Sequence, residues 1–152
     1  MRSRVLTAQL SALACGLALA CGSDSSTTTG VAPTASVQAT NSASQIAFSG
    51  TPITDIPECA NVSNTWFWTT VLSESNGVAV SITSAVNSRD GSAQPAIASN
   101  ITIGARGSVT LNRRFCFIQS TQHTIQSTFS GTDANGHAIT VMSPLVTLLA
   151  KP

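Results

Sequence analysis

The sequence predicts an all-β fold, a single antiparallel β-sandwich of about seven strands over residues 44–152. Apolar and polar residues alternate in short runs that turn signals separate. No stretch shows the 3.6-residue period of an amphipathic helix. Asn76-Gly77, the strongest short hairpin signal, lies between two of the runs. Because about seven short strands in about 105 residues most often form two packed sheets, a sandwich is the expected architecture.

The predicted strands follow the alternating runs in chain order, beginning with SQIAFS. The Asn76-Gly77 turn joins TWFWTTVLSE to VAVSITSAV, in which Val86 is expected to share the face of Ile82. The remaining runs are AIASNITI, SVTLNRRFCFI, HTIQSTFSG and HAITVMSPLVTLL. A turn over residues 133–136 joins the last two, and Pro144 is expected to split the final run at a sheet edge.

Two segments that precede the domain are not predicted to fold. In residues 1–20, Arg2 and Arg4 come before an uncharged apolar run that is too short to span a bilayer as a mature helix, which predicts a signal peptide. Residues 21–43 are rich in Ser and Thr and contain no aromatic residue. They are predicted to form a flexible, disordered tether that spans roughly 25 to 30 Å on average.

The charge balance argues against nucleic acid as a partner. From residue 21 onward the chain has five positive and six negative side chains, a net charge of −1. Such a chain offers no basic surface for a phosphate backbone. Because charged residues make up only 9% of the chain, its solubility must rest on hydroxyl and amide groups.

Cys59 and Cys116 are the two cysteines of the domain, and an even pair in an exported domain predicts a disulfide; free thiols are the alternative. In SVTLNRRFCFI, burial of the face that carries Phe115 turns Cys116 outward. The bridge would then hold the irregular segment around Cys59 against the outside of the strand. A β-bulge at residues 113–114 would instead reset the alternation and place the bridge between the sheets.

The order Cys59, Trp66, Trp68, Cys116, with GSVTLNRRFCF leading into the second cysteine, resembles an immunoglobulin-like domain. The resemblance implies two packed sheets and, in its usual form, a disulfide through the core. The chain departs from the pattern in having only six residues between Cys59 and Trp66. It also has no tyrosine, so the tyrosine corner is absent.

No catalytic residue, metal or cofactor is predicted. His123 and His137 are the only candidate bases, both are expected to be solvated, and no Gly-x-Ser-x-Gly elbow accompanies them. Asp133, Asn135 and His137 alternate as at the start of a calcium loop, but no distal Glu follows, so a tight turn is predicted. A hydrolase with two carboxylates in loops at one end of the sandwich is the remaining enzymatic alternative.

The aromatic run TWFWTT is the one candidate for a ligand-binding surface. On a strand, Trp66 and Trp68 point to one face and Phe67 to the other. Core packing of both Trp rings is the favoured interpretation, with Phe67 beneath the Cys59 segment. The alternative is an exposed aromatic platform that stacks a sugar ring or contacts a partner.

The segment Ala18-Leu19-Ala20-Cys21, followed by the polar GSDSSTTTG, resembles a bacterial lipoprotein signal peptide. The resemblance implies that Cys21 receives the lipid and becomes the new N-terminus. Gly22, in place of the aspartate associated with inner-membrane retention, favours the outer membrane. Ordinary signal-peptide cleavage is the alternative and would give a secreted protein, and cleavage at Cys15 is the weakest option.

These observations predict a lipid-anchored, non-enzymatic interaction or structural module outside the cytoplasm, at the bacterial cell envelope. The membrane is contacted through the lipid on Cys21, and an envelope protein or a glycan is the expected partner. The alternative function is a carbohydrate-binding module that uses Trp66 and Trp68. The sequence predicts no oligomeric state.

Overall fold

The structure is a computed structural model that describes residues 30–152. The predicted signal peptide, Cys21 and the first part of the predicted tether lie outside these residues. The described part of the chain confirms the all-β prediction. Its strands are β1 (Val37–Asn41), β2 (Gln45–Ile46), β3 (Asn64–Glu74), β4 (Val80–Arg89), β5 (Ser92–Ala93), β6 (Ile97–Ile103), β7 (Ser108–Phe117), β8 (His123–Asp133), β9 (Ala138–Met142) and β10 (Val146–Leu148).

The strands form two sheets, and the arrangement is that of an immunoglobulin-like sandwich. The first sheet has the order β1-β3-β7, and the second has the order β2-β10-β8-β4, with β5 and β6 beside β4 and β9 beside β8. β5 and β6 are two parts of one strand along β4, as β9 and β10 are along β8. With β1 and β2 taken as one strand that passes between the sheets, the described chain has the seven strands that the sequence predicts. None of its helical turns is long and apolar enough to cross a bilayer.

Glycines at positive φ lie in the turns between strands. Gly136 (φ 84°) lies in the predicted turn between β8 and β9, which pair as a hairpin. Gly77 (φ 81°) lies in a turn between β3 and β4, but these strands belong to different sheets and do not pair, so the prediction of a hairpin at Asn76-Gly77 is wrong. Pro144 lies in the break between β9 and β10, as expected. A second hairpin, between β4 and β5, turns at Asp90 (φ 51°) and Gly91 (φ 81°). Positive φ at both positions is typical of the tight Asp-Gly hairpin turn, which the run-by-run prediction did not include.

The start of the domain differs from the prediction. Residues 37–41, which were assigned to the tether, form β1, and every residue of β1 pairs with β3. Val37 and Ala39 are partly buried against the core. An edge strand of this kind is held mainly by main-chain hydrogen bonds, which composition does not reveal. Two small apolar side chains are therefore enough to complete it.

A β-bulge lies in the middle of the second sheet. The register of β4 shifts after Ile82 against both β6 and β8. Against β6 the extra residue lies on β6, whereas against β8 the extra residue is Thr83. Beyond it Ala85 is buried and Val86 is only half-buried, so the prediction that Val86 shares the face of Ile82 is wrong. Gly131 on β8 lies opposite the bulge, where an added Cβ would lie 2.7 Å from the Cα of Ile82.

The core between the sheets consists of two apolar clusters. The first is buried around Leu72, Val80, Ile82, Ile103, Phe129 and Val141. The second is buried around Ile46, Trp66, Trp68, Ile125, Val146 and Leu148. Arg113 lies where they meet: it pairs with Trp68 of the second cluster, and its guanidinium lies 5.8 Å from the ring centre of Phe129 in the first.

Candidate functional site

The Cys59–Cys116 disulfide lies on the outside of the sandwich. The two Cα atoms are 5.7 Å apart. β3 and β7 pair without a register shift, and this pairing places Cys116 opposite Thr65 on the outer face of the first sheet. No bulge interrupts the pairing at residues 113–114. The outward placement of Cys116 is therefore confirmed, and the alternative of a bridge between the sheets is wrong.

The bridge holds a connecting segment, residues 49–63, against the outer face. Ile53 in this segment is buried. The hydroxyl of Thr65 donates a hydrogen bond to the carbonyl of Thr51 at 2.8 Å. Arg114 Nη1 contacts both carboxylate oxygens of Asp55 at 2.7 and 2.8 Å, and this contact lowers the pKa of Asp55. The disulfide is therefore one of several contacts that fix this segment.

Trp66 and Trp68 belong to the core. Trp66 is 0% exposed and donates its indole N–H to the carbonyl of Leu149 at 2.9 Å, and Trp68 is 7% exposed. The ring of Phe48 packs edge-on against Trp66 at 5.8 Å between centres. Neither indole offers a face to a sugar ring or to a partner. The structure thus corrects the carbohydrate-binding alternative that used these two rings.

Phe67 is the aromatic residue of this strand that reaches the surface. It lies on the outer face opposite Arg114, and 38% of it is exposed, so the Cys59 segment does not cover it as predicted. A cleft of about 400 Å³ lies beside it. The residues around this cleft are Ser42, Phe67, Trp68, Thr69, Asn112, Arg113 and Arg114. We call Phe67, Asn112 and Arg114 the outer-face patch; Phe67 is its one member from the predicted aromatic site.

His123 is buried rather than solvated as expected. Its Nδ1 lies 2.7 Å from Asp90 Oδ2 and its Nε2 lies 3.3 Å from the hydroxyl of Thr121. This chain of acid, imidazole and hydroxyl has the connectivity of a hydrolytic triad. The clefts described here are lined by other residues, however, and Asp90 also accepts the N–H of Thr124 at 2.7 Å, the main cause that lowers its pKa. We therefore conclude that the hydrogen bonds among Asp90, His123 and Thr121 attach the β4–β5 turn to the start of β8.

Two turns between strands share one sequence pattern, an acidic residue, a small residue, Asn and Gly. They are Glu74–Gly77 and Asp133–Gly136, here called the junction turns. In each, the carboxylate accepts N–H groups of its own turn, from Asn76 and Gly77 at 2.7 and 2.9 Å and from Asn135 and His137 at 2.9 and 2.8 Å. Asp133 thus closes a turn, as predicted. Within residues 30–152 no group of three acidic, His or Cys side chains is arranged for a metal.

Both junction turns also hold the chain just ahead of β1. Each contributes its Asn side-chain amide and its carboxylate to successive backbone groups of residues 33–36. The four hydrogen bonds run from Asn135 Nδ2 to Pro33 O (2.7 Å), from Asn76 Nδ2 to Thr34 O (3.0 Å), from Ala35 N to Asp133 Oδ2 (3.1 Å) and from Ser36 N to Glu74 Oε1 (3.2 Å). The point where the chain enters the domain is therefore fixed to both sheets.

The junction carboxylates predict a loss of stability in acid. Burial raises the pKa of Glu74, but backbone N–H donors, Arg106 and Ser36 among them, outweigh it and bring the pKa to about 2. The pKa of Asp133 is likewise about 2, because N–H donors outweigh its burial. Since both values lie below those of the unfolded chain, the stabilisation is complete above about pH 5 and is lost as the pH falls toward 2.

Urea unfolding at a series of pH values checks this prediction. We expect the free energy of unfolding to fall between pH 4.5 and pH 2, and Glu74→Gln to flatten that fall. Glu58→Gln makes the same change in charge at an exposed position and should leave the slope unchanged. An equal slope in Glu74→Gln and in the unmodified protein would contradict the assignment.

Sequence reasoning did not single out Arg113 as a functional residue. The alternation in SVTLNRRFCFI does place it on the face of Phe115, which is the signal that could have found it. The structure shows the reason to consider it: Arg113 Nη2 donates to Asn87 Oδ1 at 2.7 Å and to Ser127 Oγ at 2.9 Å inside the sandwich. All three side chains are polar groups at inward-facing positions.

Comparisons with known proteins give no family assignment. No family model matches the chain, and no curated protein matches it. The solution NMR structure of the CARDB domain of PF1109 from Pyrococcus furiosus is 10% identical, with a TM-score of 0.47 over 78% of this chain and 98% of that one. A crystal structure of that domain in complex with di-metal ions has a TM-score of 0.47 at 10% identity, over 76% of this chain and 90% of that one.

A DNA glycosylase is a further similar structure. Alkylpurine DNA glycosylase AlkC from Pseudomonas fluorescens, bound to DNA containing an abasic site analog, is 10% identical with a TM-score of 0.40, over 76% of this chain and 30% of that one. Likenesses at this level say nothing about ligand or activity. The fold is therefore described from the strand pairing of this chain, which is an immunoglobulin-like β-sandwich with a disulfide on its outer face.

Proposed function

We propose that the protein is a non-enzymatic interaction or structural module, held outside the cytoplasm at the bacterial envelope by a lipid on Cys21. The lipoprotein-like segment that ends at Cys21 supports the anchor. The acidic and histidine side chains described above support a non-catalytic role, because Asp90, Asp133 and both histidines are used to fix turns. Gly22 favours the outer membrane, and secretion is the alternative.

The arrangement of the junction turns is the observation that carries this proposal. A domain that is displayed on a tether needs a defined point where the tether ends. Residues 33–36 are bound there through four successive backbone groups, two of them to carboxylates that are themselves buried. These hydrogen bonds fix the entry segment, which supports a module that is presented from its N-terminal side.

The outer-face patch is the surface that we assign to a partner, either an envelope protein or a glycan. It combines an exposed aromatic ring, an amide and the Arg114–Asp55 ion pair, a mixture that is typical of protein interfaces and of sugar sites. The disulfide fixes the neighbouring segment, so the patch needs little ordering when a partner binds. A glycan would have to stack on Phe67, since both Trp rings are buried.

Labelling with a radioactive fatty acid tests the anchor. We expect the protein to carry label and to sediment with membranes, and Cys21→Ser to lose both properties. Cys15→Ser, at the other Ala-Leu-Ala-Cys copy, is the matched control and should keep the label. Label that survives Cys21→Ser would refute Cys21 as the anchor. An unlabelled protein that begins at Cys21 and is released into the medium would favour the secreted alternative.

A further inference from the structure

Arg113 occupies an interior position that an apolar side chain would normally fill. On β7 it shares its face with Leu111 and Phe115, both of which pack on the core clusters. Its partners are neutral: Asn87 on β4 and Ser127 on β8 accept its Nη2 hydrogens. A guanidinium has five N–H donors, and these two bonds leave Nε and Nη1 without a described partner.

The cation has no counter-charge among residues 30–152. Asp55 is bound by the neighbouring Arg114, and no described carboxylate forms a salt bridge with Arg113. Burial alone lowers the pKa of Arg113, because the cation loses hydrating water. Proteins seldom leave a half-buried charge with neutral partners alone, because the loss of hydration is not offset.

A cleft of about 230 Å³ opens beside this group at the edge of the sandwich, where β7 of one sheet faces β4 of the other. Its lining residues are Ile56, Asn87, Asn112, Arg113 and Arg114. Two arginines and two asparagines thus line one small space, and the guanidinium of Arg114 is already paired with Asp55. The volume of the cleft is several times the roughly 30 Å³ that one water occupies in the liquid. It therefore admits a polyatomic ion together with part of the molecule that carries it.

We propose that this cleft binds an oxyanion, a carboxylate, sulfate or phosphate group, through Arg113. Because Nη2 already donates to Asn87 and Ser127, Nε and Nη1 remain as separate single donors, each able to bind one oxygen of such a group. Asn87 and Asn112 line the same space, so their amide N–H groups would supply neutral donors, and Asn87 Oδ1 and Ser127 Oγ hold the guanidinium in place through Nη2. The ligand is either a free ion or the acidic substituent of a sugar. The site does not depend on lipid anchoring.

Isothermal titration of the full chain with sodium sulfate, sodium phosphate and a glucuronic acid oligosaccharide tests this site. We expect saturable binding with a stoichiometry of one and at least a tenfold loss of affinity in Arg113→Met. Arg106→Met makes the same charge change outside the cleft and should bind within twofold of the unmodified protein. Binding of the inorganic ions alone assigns the free ion, and tighter binding of the oligosaccharide assigns the acidic sugar.

Asn87→Asp is a second variant, and it tests the site in a protein that is expected to keep its fold. It places a carboxylate where Arg113 already donates, so the ligand must compete with an internal partner, and we expect at least a tenfold weaker affinity with unchanged far-UV circular dichroism. Two results would overturn the proposal: no saturable binding of any of the three probes, or full affinity in both Arg113→Met and Asn87→Asp. Equal binding of a neutral glucose oligosaccharide would also overturn it, because charge would then not be recognised.

Discussion

Replacing Gly131 with alanine is expected to lower the free energy of unfolding by about 3 kcal/mol, the upper end of the usual cost of overpacking. Gly131 lies on β8, where the bulge of β4 brings the backbone of residues 81–82 against it, and an added Cβ would lie 2.7 Å from Ile82 Cα and 2.8 Å from Ser81 C. Both neighbours are backbone atoms between strands, so neither can rotate away. Relief requires a movement of β4, which pairs with β6 on its other side.

Urea unfolding of Gly131→Ala beside Gly104→Ala measures this effect. An added Cβ at Gly104 would meet nothing within 4 Å, so that variant is expected to remain within about 0.5 kcal/mol of the unmodified protein. Equal stability of the two variants would mean that β4 can shift freely at the bulge, contrary to its pairing on both sides.

Removal of the Cys59–Cys116 disulfide is expected to lower the free energy of unfolding by about 4 kcal/mol in the double variant Cys59→Ser, Cys116→Ser. The two residues are 57 positions apart in the chain, and the unfolded chain without the bridge gains the entropy of that long loop. In the folded state, Ile53, the Thr65–Thr51 hydrogen bond and the Arg114–Asp55 pair remain. The fold is therefore expected to persist with lower stability.

Tryptophan fluorescence during reduction distinguishes the outer bridge from one in the core. In an immunoglobulin domain the conserved Trp packs against the core disulfide, whereas here the bridge lies on the face opposite to Trp66 and Trp68. Reduction of the folded protein should leave the emission spectrum unchanged while the urea midpoint falls. A change in emission before unfolding would contradict the separation of the two sites.

The sequence predicts the features that rest on side-chain alternation and on turn chemistry. The Asn135-Gly136 hairpin, the break at Pro144 and the outward position of Cys116 all follow from local pattern. The turn at Asn76-Gly77 does as well, but the local pattern does not show that its two strands belong to different sheets. The Asp90-Gly91 turn has an equally clear signal in the sequence, the Asp-Gly pair. Its two-residue partner strand, β5, is too short to show an alternating run of its own.

Features that depend on main-chain contacts between distant strands could not be read in the same way. β1 buries little apolar surface, so its composition is that of a tether. The bulge in β4 is marked only by Gly131, a glycine at the end of an otherwise ordinary strand pattern. The cleft at Arg113 needs Asn87 from another sheet and Ile56 from the disulfide-bound segment, which sequence spacing alone does not bring together.

The junction turns determine how a pulling force would enter the domain. Tension on the chain ahead of Pro33 would reach β3 through Glu74 and Asn76, and β8 through Asp133 and Asn135. β3 is the middle strand of one sheet, and β8 lies between β10 and β4 in the other. The load would therefore be divided between the two layers at interior strands, and β1, an edge strand, would be protected from being peeled away alone.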